Sequence, residues 1–288
     1  MRADRFLRET TGIFRREGIE SPRLDAELIL ARVLRQGRFH AYLDPFRYLK
    51  RRELELMRTL VKERARRVPL AYLLKEKEFM GLSFYVTKGT FIPRPETEIM
   101  VEALIATLKR EFLLKKEGIK PVIVDVGTGC GNIALSLARF IKGARIYATD
   151  ISRKALNTAR RNLKRYGSNT VTLCHGDLLN PLPERVKGMV DFIVANLPYI
   201  RDDEFSFLGP ELQYEPVVSL KGGPDGLNLY RRLLPQAHLY LRRGGYLFIE
   251  ISPEQKESII DIFARKFIII NIIRDYQGLE RVVVLQRR

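Results

Sequence analysis

Three stretches of this sequence hold residue types at spacings that could do chemistry. Asp125-Val126-Gly127-Thr128-Gly129-Cys130-Gly131 follows a strand-like apolar run and opens a helix-like segment. Glycines at that point let the backbone turn tightly and approach a ligand with no Cβ in the way. Asp150 closes the next apolar run, 19 residues beyond Gly131, where its carboxylate can accept hydrogen bonds from both hydroxyls of a ribose. Together they describe a nucleoside site. No Gly-Lys-Ser/Thr follows the glycines, which excludes a P-loop. The Gly-x-Gly-x-Gly spacing with an acid two residues ahead suits S-adenosylmethionine better than NAD, although the loop alone leaves NAD open. Asp177, after Gly176, can accept from an adenine amino group with Leu178 packed on the ring, and it is equally an ordinary turn aspartate.

The third stretch is Asn196-Leu197-Pro198-Tyr199, after the apolar run Val190 to Ala195. In an open α/β sheet the ends of such strands border the ligand crevice. An amide or aromatic amine is a poor nucleophile because its lone pair is delocalised, so a site that uses one must orient the nitrogen and draw its hydrogens out of plane. The Asn196 side-chain oxygen and a neighbouring main-chain carbonyl can each accept one N–H, and Tyr199 can pack on the planar group. No base is needed beforehand, because the nitrogen sheds its proton after attack on an electrophilic methyl. The protein supplies positioning and fixed dipoles. The same four residues also make an ordinary turn.

These residues need a scaffold, and the pattern of the chain supplies one. The runs Val122 to Val126, Arg145 to Thr149, Thr170 to Cys174, Val190 to Ala195 and Tyr246 to Ile251 are strand-like. Asn132 to Phe140, Arg153 to Tyr166 and Asn228 to Leu241 are helix-like and separate most of them. That alternation predicts a parallel sheet covered on both faces. Phe267 to Ile273 and Arg281 to Leu285 are joined by too short a loop for a crossover, so this last pair should be antiparallel. Residues 1–75 predict a small helical bundle, with Leu24, Leu28 and Ala31, then Leu54, Met57 and Val61, forming apolar stripes, and with Ser21 before Pro22 as a helix start. Phe79-Met80 and Phe84-Tyr85-Val86 around Gly81-Leu82-Ser83 predict a hairpin linker over 76–92, leaving 93–288 as the catalytic domain.

At 288 residues with 45% hydrophobic and 30% charged side chains, the chain has enough material for about two domains and does not resemble a disordered or fibrous protein. Its longest greasy run is far short of the about 20 residues of a membrane span, and the start shows no secretory signal, so no membrane partner and a cytoplasmic location are expected. Cys130 and Cys174 make neither a metal spacing nor a disulfide framework, and suit a reducing compartment. His40, His175 and His238 show no ligand spacing, so no metal is expected. The net charge of +17 is concentrated at the front, with 19 basic and 10 acidic residues through residue 75. Such a charge attracts nucleic acid or an acidic protein, and Arg64, Arg66 and Arg67 are candidates for steering that encounter.

Asn196 to Tyr199 resembles the Asn-Pro-Pro-Tyr motif of S-adenosylmethionine-dependent methyltransferases that act on planar nitrogens. The flanking strings resemble one family, the peptide chain release factor glutamine N5-methyltransferases, PrmC or HemK. They are Val68 to Tyr72, Lys77 to Phe79, Phe91 to Glu98, Tyr214 to Pro216, Gly222 to Leu227 and Asp275 to Gly278 with Arg281 to Val283. The resemblance implies a class I, Rossmann-like methyltransferase with a seven-stranded, mostly parallel sheet and an antiparallel last strand, preceded by the helical bundle as a substrate-recognition domain. It implies that Gly127, Thr128, Gly129, Cys130, Gly131, Asp150 and Asn196 hold S-adenosylmethionine, to which the reading of the residues adds Asp177 and Leu178 at the adenine. It further implies that Asn196, Leu197, Pro198 and Tyr199 hold the glutamine of a release factor Gly-Gly-Gln motif, with Asn196, Pro198 and Tyr199 catalytic. Pro93 to Glu98 would enclose the methionine end of the cofactor or serve as a helix entry with capping acids.

Leu197 stands where the family usually has proline. It regains an N–H and loses the ring that fixes φ, which Pro198 partly offsets by holding its predecessor extended. Asn-Leu-Pro-Tyr is also the form in ribosomal RNA adenine dimethyltransferases, so the second reading is an RNA adenine N6-methyltransferase, and a third is a cofactor-binding RNA chaperone with no enzymatic role. Pro93 to Glu98 and Tyr214 to Leu227 resemble only the release factor family and favour the first.

Overall fold

The computed structural model describes residues 1–37, 43–113 and 120–288, so His40 lies outside the described residues. The chain forms two compact units, Met1–Glu76 with Gly209–Tyr214, and Lys77–Leu208 with Glu215–Arg288.

The smaller unit contains α1 (Ala3–Arg16), α2 (Pro22–Leu34), α3 (Arg51–Ala65) and α4 (Leu70–Leu74). Phe6, Leu7, Phe14, Ile29, Leu30, Met57 and Val61 fill its core. On α2 the buried stripe is Ala26, Ile29 and Leu30, while Leu24 is exposed and Leu28 and Ala31 are half-buried. The expected stripe is therefore about one residue out of phase. Both stripes have helical spacing, and tertiary pairing decides between them: Asp25 and Glu27 on the buried side are neutralised by Arg64 and Arg23. Pro22 does open α2, but the Ser21 side chain makes no capping bond.

Arg64 is not free to steer a partner. It is 7% exposed and donates through Nε to Asp25 Oδ2 at 2.6 Å and through Nη1 to Glu211 Oε1 at 3.1 Å. Arg67 donates to Glu211 Oε2 at 2.7 Å and to the carbonyls of Glu17 and Gly18, and Arg66 pairs with Glu63. Tyr214 Oη donates to the Arg66 carbonyl at 2.9 Å. These arginines hold Gly209–Tyr214 within the helical unit. Among these contacts the buried pair is Arg64 with Asp25, and breaking it costs about 3 kcal/mol or more, because it strands a charge.

The larger unit begins with the hairpin β1 (Lys77–Phe79) and β2 (Leu82–Phe84). Its turn is Met80-Gly81, one residue earlier than expected, with φ of +52° and +68°, the signs that a tight two-residue hairpin requires. Met80 is held there by donating its N–H to Glu98 Oε1 at 2.8 Å. Next come α5 (Pro95–Leu113), β3 (Val122–Val126), α6 (Asn132–Phe140), β4 (Arg145–Asp150), α7 (Arg153–Tyr166), β5 (Val171–His175) and β6 (Val190–Ala195). Short strands β7 (Ile200–Arg201) and β8 (Lys221–Gly223) pair in parallel, and α8 (Asn228–Tyr240), β9 (Leu241–Glu250), α9 (Lys256–Phe263), β10 (Phe267–Arg274) and β11 (Glu280–Arg287) complete the chain.

Seven strands form one sheet in the order β10-β11-β9-β6-β3-β4-β5, with β11 antiparallel to both its neighbours and the β9-β6-β3-β4-β5 pairings parallel. The fold is a class I methyltransferase fold with an antiparallel last strand. Every residue of β6 is buried, Asp191 included; its carboxylate accepts from Val122 N at 2.9 Å and Arg242 Nε at 2.7 Å. Strand order reverses at β3, which has β4 on one side and β6 on the other, and the crevice beyond the C-terminal ends of these strands is where such sheets bind ligands. Among the described residues, no helix is long and apolar enough to cross a membrane.

Candidate active site

The glycine loop leaves the end of β3. Gly127, Gly129 and Gly131 have φ of +74°, +57° and +84°, a region that costs other residues roughly 1–2 kcal/mol each. Their surroundings differ. A Cβ on Gly127 would stand 3.3 Å from Leu197 Cδ2, and one on Gly131 would stand 3.3 Å from Ala159 Cβ, whereas on Gly129 nothing lies within 4 Å. The two outer glycines are closed by packing, and the middle one faces open space.

Two carboxylates shape the loop. Asp125 Oδ2 accepts from Thr128 Oγ1 at 2.6 Å and from Ala134 N at 3.1 Å, so it caps the entry of α6 from the preceding strand. Its Oδ1 is buried with no partner, and burial pushes the carboxyl up to about 7. Asp150 Oδ2 accepts the Gly129 N–H and Oδ1 the Ser152 N–H, both at 2.8 Å. Burial raises its pKa against these bonds. Each oxygen keeps a lone pair for a hydroxyl. Asn162 on α7, unremarked in the sequence, donates to the Cys130 carbonyl at 2.8 Å and exchanges bonds with Tyr85 N and O, fixing the loop from behind. The Cys130 thiol is buried, and burial pushes it up to about 12, so it is an inert packing group.

Asp177 is ion-paired with Arg232 of α8. Leu178 is buried in the core with φ of +49°. His175 bonds the Ile151 carbonyl, and His238 packs edge-on against Phe267.

Asn196 follows β6. Its Nδ2 donates to Thr97 Oγ1 at 3.0 Å, and Thr97 Oγ1 donates to Glu250 Oε2 at 2.6 Å. Tyr199 Oη donates to Glu250 Oε1 at 3.4 Å. Burial and the adjacent Glu250 carboxylate raise the Tyr199 phenol, so it stays protonated. Leu197 is buried against the glycine loop, and its carbonyl lies 3.5 Å from Tyr230 Oη. The Tyr199 carbonyl accepts Gln255 Nε2 at 2.9 Å.

The glycine string Gly222 to Gly226 packs beneath this turn. A Cβ on Gly222 would come within 2.8 Å of the Pro198 carbonyl oxygen, and one on Gly226 would overlap the Tyr199 carbonyl. Glu215 accepts from Ile92 N at 2.9 Å and ion-pairs with Arg94, whose guanidinium lies 4.5 Å from the Phe91 ring. Within Phe91 to Glu98, Ile92 and Arg94 thus hold Glu215, Thr97 holds Asn196 and Glu98 holds the hairpin turn.

Comparison with known proteins narrows this geometry. A family model described as the PrmC N-terminal domain matches residues 5–74, and one described as a methyltransferase domain matches 123–209. The release factor glutamine methyltransferase of Geobacter sulfurreducens is 37% identical over 276 residues, 95% of this chain and 93% of its own. That of Moorella thermoacetica is 40% identical over 282 residues, 94% of this chain and 93% of its own. The chain belongs to the release factor glutamine methyltransferase family. Solved methyltransferases share the fold: one from Pyrococcus furiosus has a TM-score of 0.54 at 20% identity, covering 78% of this chain and 98% of its own. A ribosomal protein L11 methylase from Lactobacillus delbrueckii has a TM-score of 0.50 at 21% identity, covering 70% and 84%.

Sequence reasoning placed Thr97 only within the Pro93 to Glu98 segment, without its bond to Asn196, and missed Glu250 and Asn162. Glu250 carried a signal, since a charged residue closing an apolar strand is buried and must find partners.

Proposed function

We propose that this protein transfers a methyl group from S-adenosylmethionine to the side-chain amide nitrogen, N5, of the glutamine in the Gly-Gly-Gln motif of peptide chain release factors. The observation that carries this reading is the commitment of Asn196 Nδ2 to Thr97, which leaves the Asn196 oxygen as an acceptor at the end of β6. Curated relatives bearing the name release factor glutamine methyltransferase over nearly the whole chain support it.

The glycine loop fits the cofactor. Open space at Gly129, the Asp150 carboxylate bonded to its N–H, and the unpartnered buried Asp125 Oδ1 suit a nucleoside carrying a cationic amino acid. When bound, S-adenosylmethionine supplies an electrophilic methyl on its sulfonium. Gly127, Thr128, Gly129, Cys130 and Gly131 would line it and Asp150 would hold its ribose. Asp177, released from Arg232, and Leu178 would border the adenine.

Asn196 Oδ1 and a main-chain carbonyl of Leu197 or Pro198 accept the two N–H groups of the glutamine amide, which fixes the plane of the nitrogen. Tyr199 packs on that plane and, staying protonated, acts by position. The methyl would leave sulfur as the nitrogen takes it, and the surplus proton on the nitrogen would then pass to water. Leu197, packed against Gly127, keeps the carbonyl that the motif needs. The helical unit contributes recognition of the release factor away from the glutamine. Its exposed cations on α3, Arg51, Arg52, Arg58 and Lys62, take the place of Arg64 and Arg67 in that role.

The test is incubation of the purified protein with labelled methyl donor and, separately, a release factor, the same factor with Gln→Ala in Gly-Gly-Gln, and naked ribosomal RNA. Label in the first alone is expected. Label in RNA alone would replace this function with the RNA adenine reading.

A further inference from the structure

We infer that Thr97 and Glu250 are positioning residues that set which way the Asn196 amide faces, an inference that rests on the reading above and deepens it. A side-chain amide is nearly symmetric in shape, so packing alone does not distinguish its oxygen from its nitrogen. With the nitrogen outward, Asn196 would present donors to a substrate amide that itself needs acceptors. The polarity must come from a neighbour whose own role is fixed.

Glu250 is that fixed point. It ends β9 and is 2% exposed, and as a carboxylate it only accepts. Thr97, in the first turn of α5 and also 2% exposed, has one hydroxyl hydrogen, and it goes to Glu250 Oε2 at 2.6 Å. What remains on Thr97 Oγ1 toward Asn196 is a lone pair, so the contact at 3.0 Å must be a donation from Nδ2. Oδ1 is then the atom left for the substrate. The carboxylate is itself held, with Tyr199 Oη against Oε1 and Tyr230 Oη donating to the Glu250 carbonyl. Three segments distant in the chain therefore enforce one orientation of one amide.

Protonating Glu250 would undo this, because a carboxylic acid can donate to Thr97 and free its hydrogen for Asn196 Oδ1. Besides Thr97 and Tyr199, the charged and titratable groups acting on Glu250 are Arg281 on β11, which favours the carboxylate, and Glu96 on α5, which opposes it. Burial is the largest influence and raises the carboxyl to about 7, so the switch falls in an accessible range.

The experiment compares Thr97→Val, which keeps the shape and removes the relay, with Thr97→Ser, which keeps the hydroxyl, and with Glu250→Gln, which accepts or donates and so imposes no polarity. For the wild type, kcat is expected to rise with pH through about 7. Thr97→Val should lower kcat about tenfold or more, while the KM for the release factor and the cofactor Kd stay within about twofold. Thr97→Ser should restore most of the loss, and Glu250→Gln should flatten the pH profile. Equal losses in the Val and Ser variants, or full kcat in the Val variant, would overturn the relay.

A second readout does not depend on methyl transfer. In ¹⁵N-labelled protein the Asn196 side-chain NH₂, identified by its loss in Asn196→Ala, should exchange with solvent about tenfold faster or more in Thr97→Val and Glu250→Gln than in wild type. Unchanged exchange overturns the relay. Wild-type protein that protects this NH₂ yet leaves the release factor unlabelled would overturn the substrate reading and leave the relay standing.

Discussion

Gly226 lies directly beneath Tyr199, its Cα at φ +75° and its missing side chain aimed at the Tyr199 carbonyl oxygen and the Gln255 amide that bonds it. The glycine is required twice over, by backbone conformation and by lack of room. Gly222 and Gly223 are comparably crowded, against Pro198 and Asn228. The string that closes β8 and continues to Gly226 is therefore a seat for the Asn196 to Tyr199 turn, and its spacing answers to the shape of that turn.

Gly226→Ala should consequently reduce stability by about 2 kcal/mol or more and displace the turn. Gly167→Ala is the control, since Gly167 has φ +60° with nothing within 4 Å. Denaturant unfolding together with turnover checks this. The Gly167 variant should lose about 1 kcal/mol with normal kcat, and the Gly226 variant should lose both. Equal behaviour of the two would mean that strain alone matters.

Asn196→Ala and Asp150→Ala should separate acceptor from cofactor. Losing a preorganised polar contact of roughly 3 kcal/mol predicts about a hundredfold fall in turnover for Asn196→Ala, with cofactor affinity little changed. Asp150→Ala should weaken cofactor binding by about tenfold or more, because two hydroxyl bonds to a charged acceptor are lost. Calorimetry with S-adenosylmethionine distinguishes them, and an unchanged Kd for Asp150→Ala would remove the ribose role.

The buried carboxyls carry a pH signature. Asp125 is raised by burial from the ordinary 3.8 to about 7. Over that interval the folded chain retains a proton that the unfolded chain has released, so this group's contribution is complete below about pH 4 and is lost as pH rises through about 7. Asp125→Asn should thus gain on the wild type by about 4 kcal/mol between pH 4 and pH 8. Unfolding free energies measured at both ends check the sign. A difference independent of pH would place the carboxyl in its normal range.

Legibility followed contiguity. The glycine loop, Asp150 and the Asn196 to Tyr199 turn were readable because each is a short string or lies at a strand end. The sheet was readable because β3, β4 and β6 are short, mostly apolar runs separated by helix-like segments. Thr97 and Glu250 were not readable as partners of Asn196, since they stand 99 and 153 residues from their hydrogen-bonding counterparts, and only the meeting of the first turn of α5 with the ends of β6 and β9 brings them together. The phase of α2 failed for a different reason. Its apolar residues nearly encircle the helix, and the choice of face depended on Arg64 reaching Asp25 across 39 residues.

Gly209–Tyr214 is held by Arg64 and Arg67 among the helices, although its flanking residues belong to the sheet-bearing unit. The polypeptide accordingly passes from one unit to the other three times, near residues 76, 208 and 214. A single cut at the hairpin would leave Gly209–Tyr214 on the sheet-bearing fragment, and deletion of the helices would strip this six-residue stretch, some ten positions downstream of Tyr199, of its anchorage. A catalytic fragment that keeps this stretch therefore carries Glu211 and Tyr214 without the arginines that pair with them.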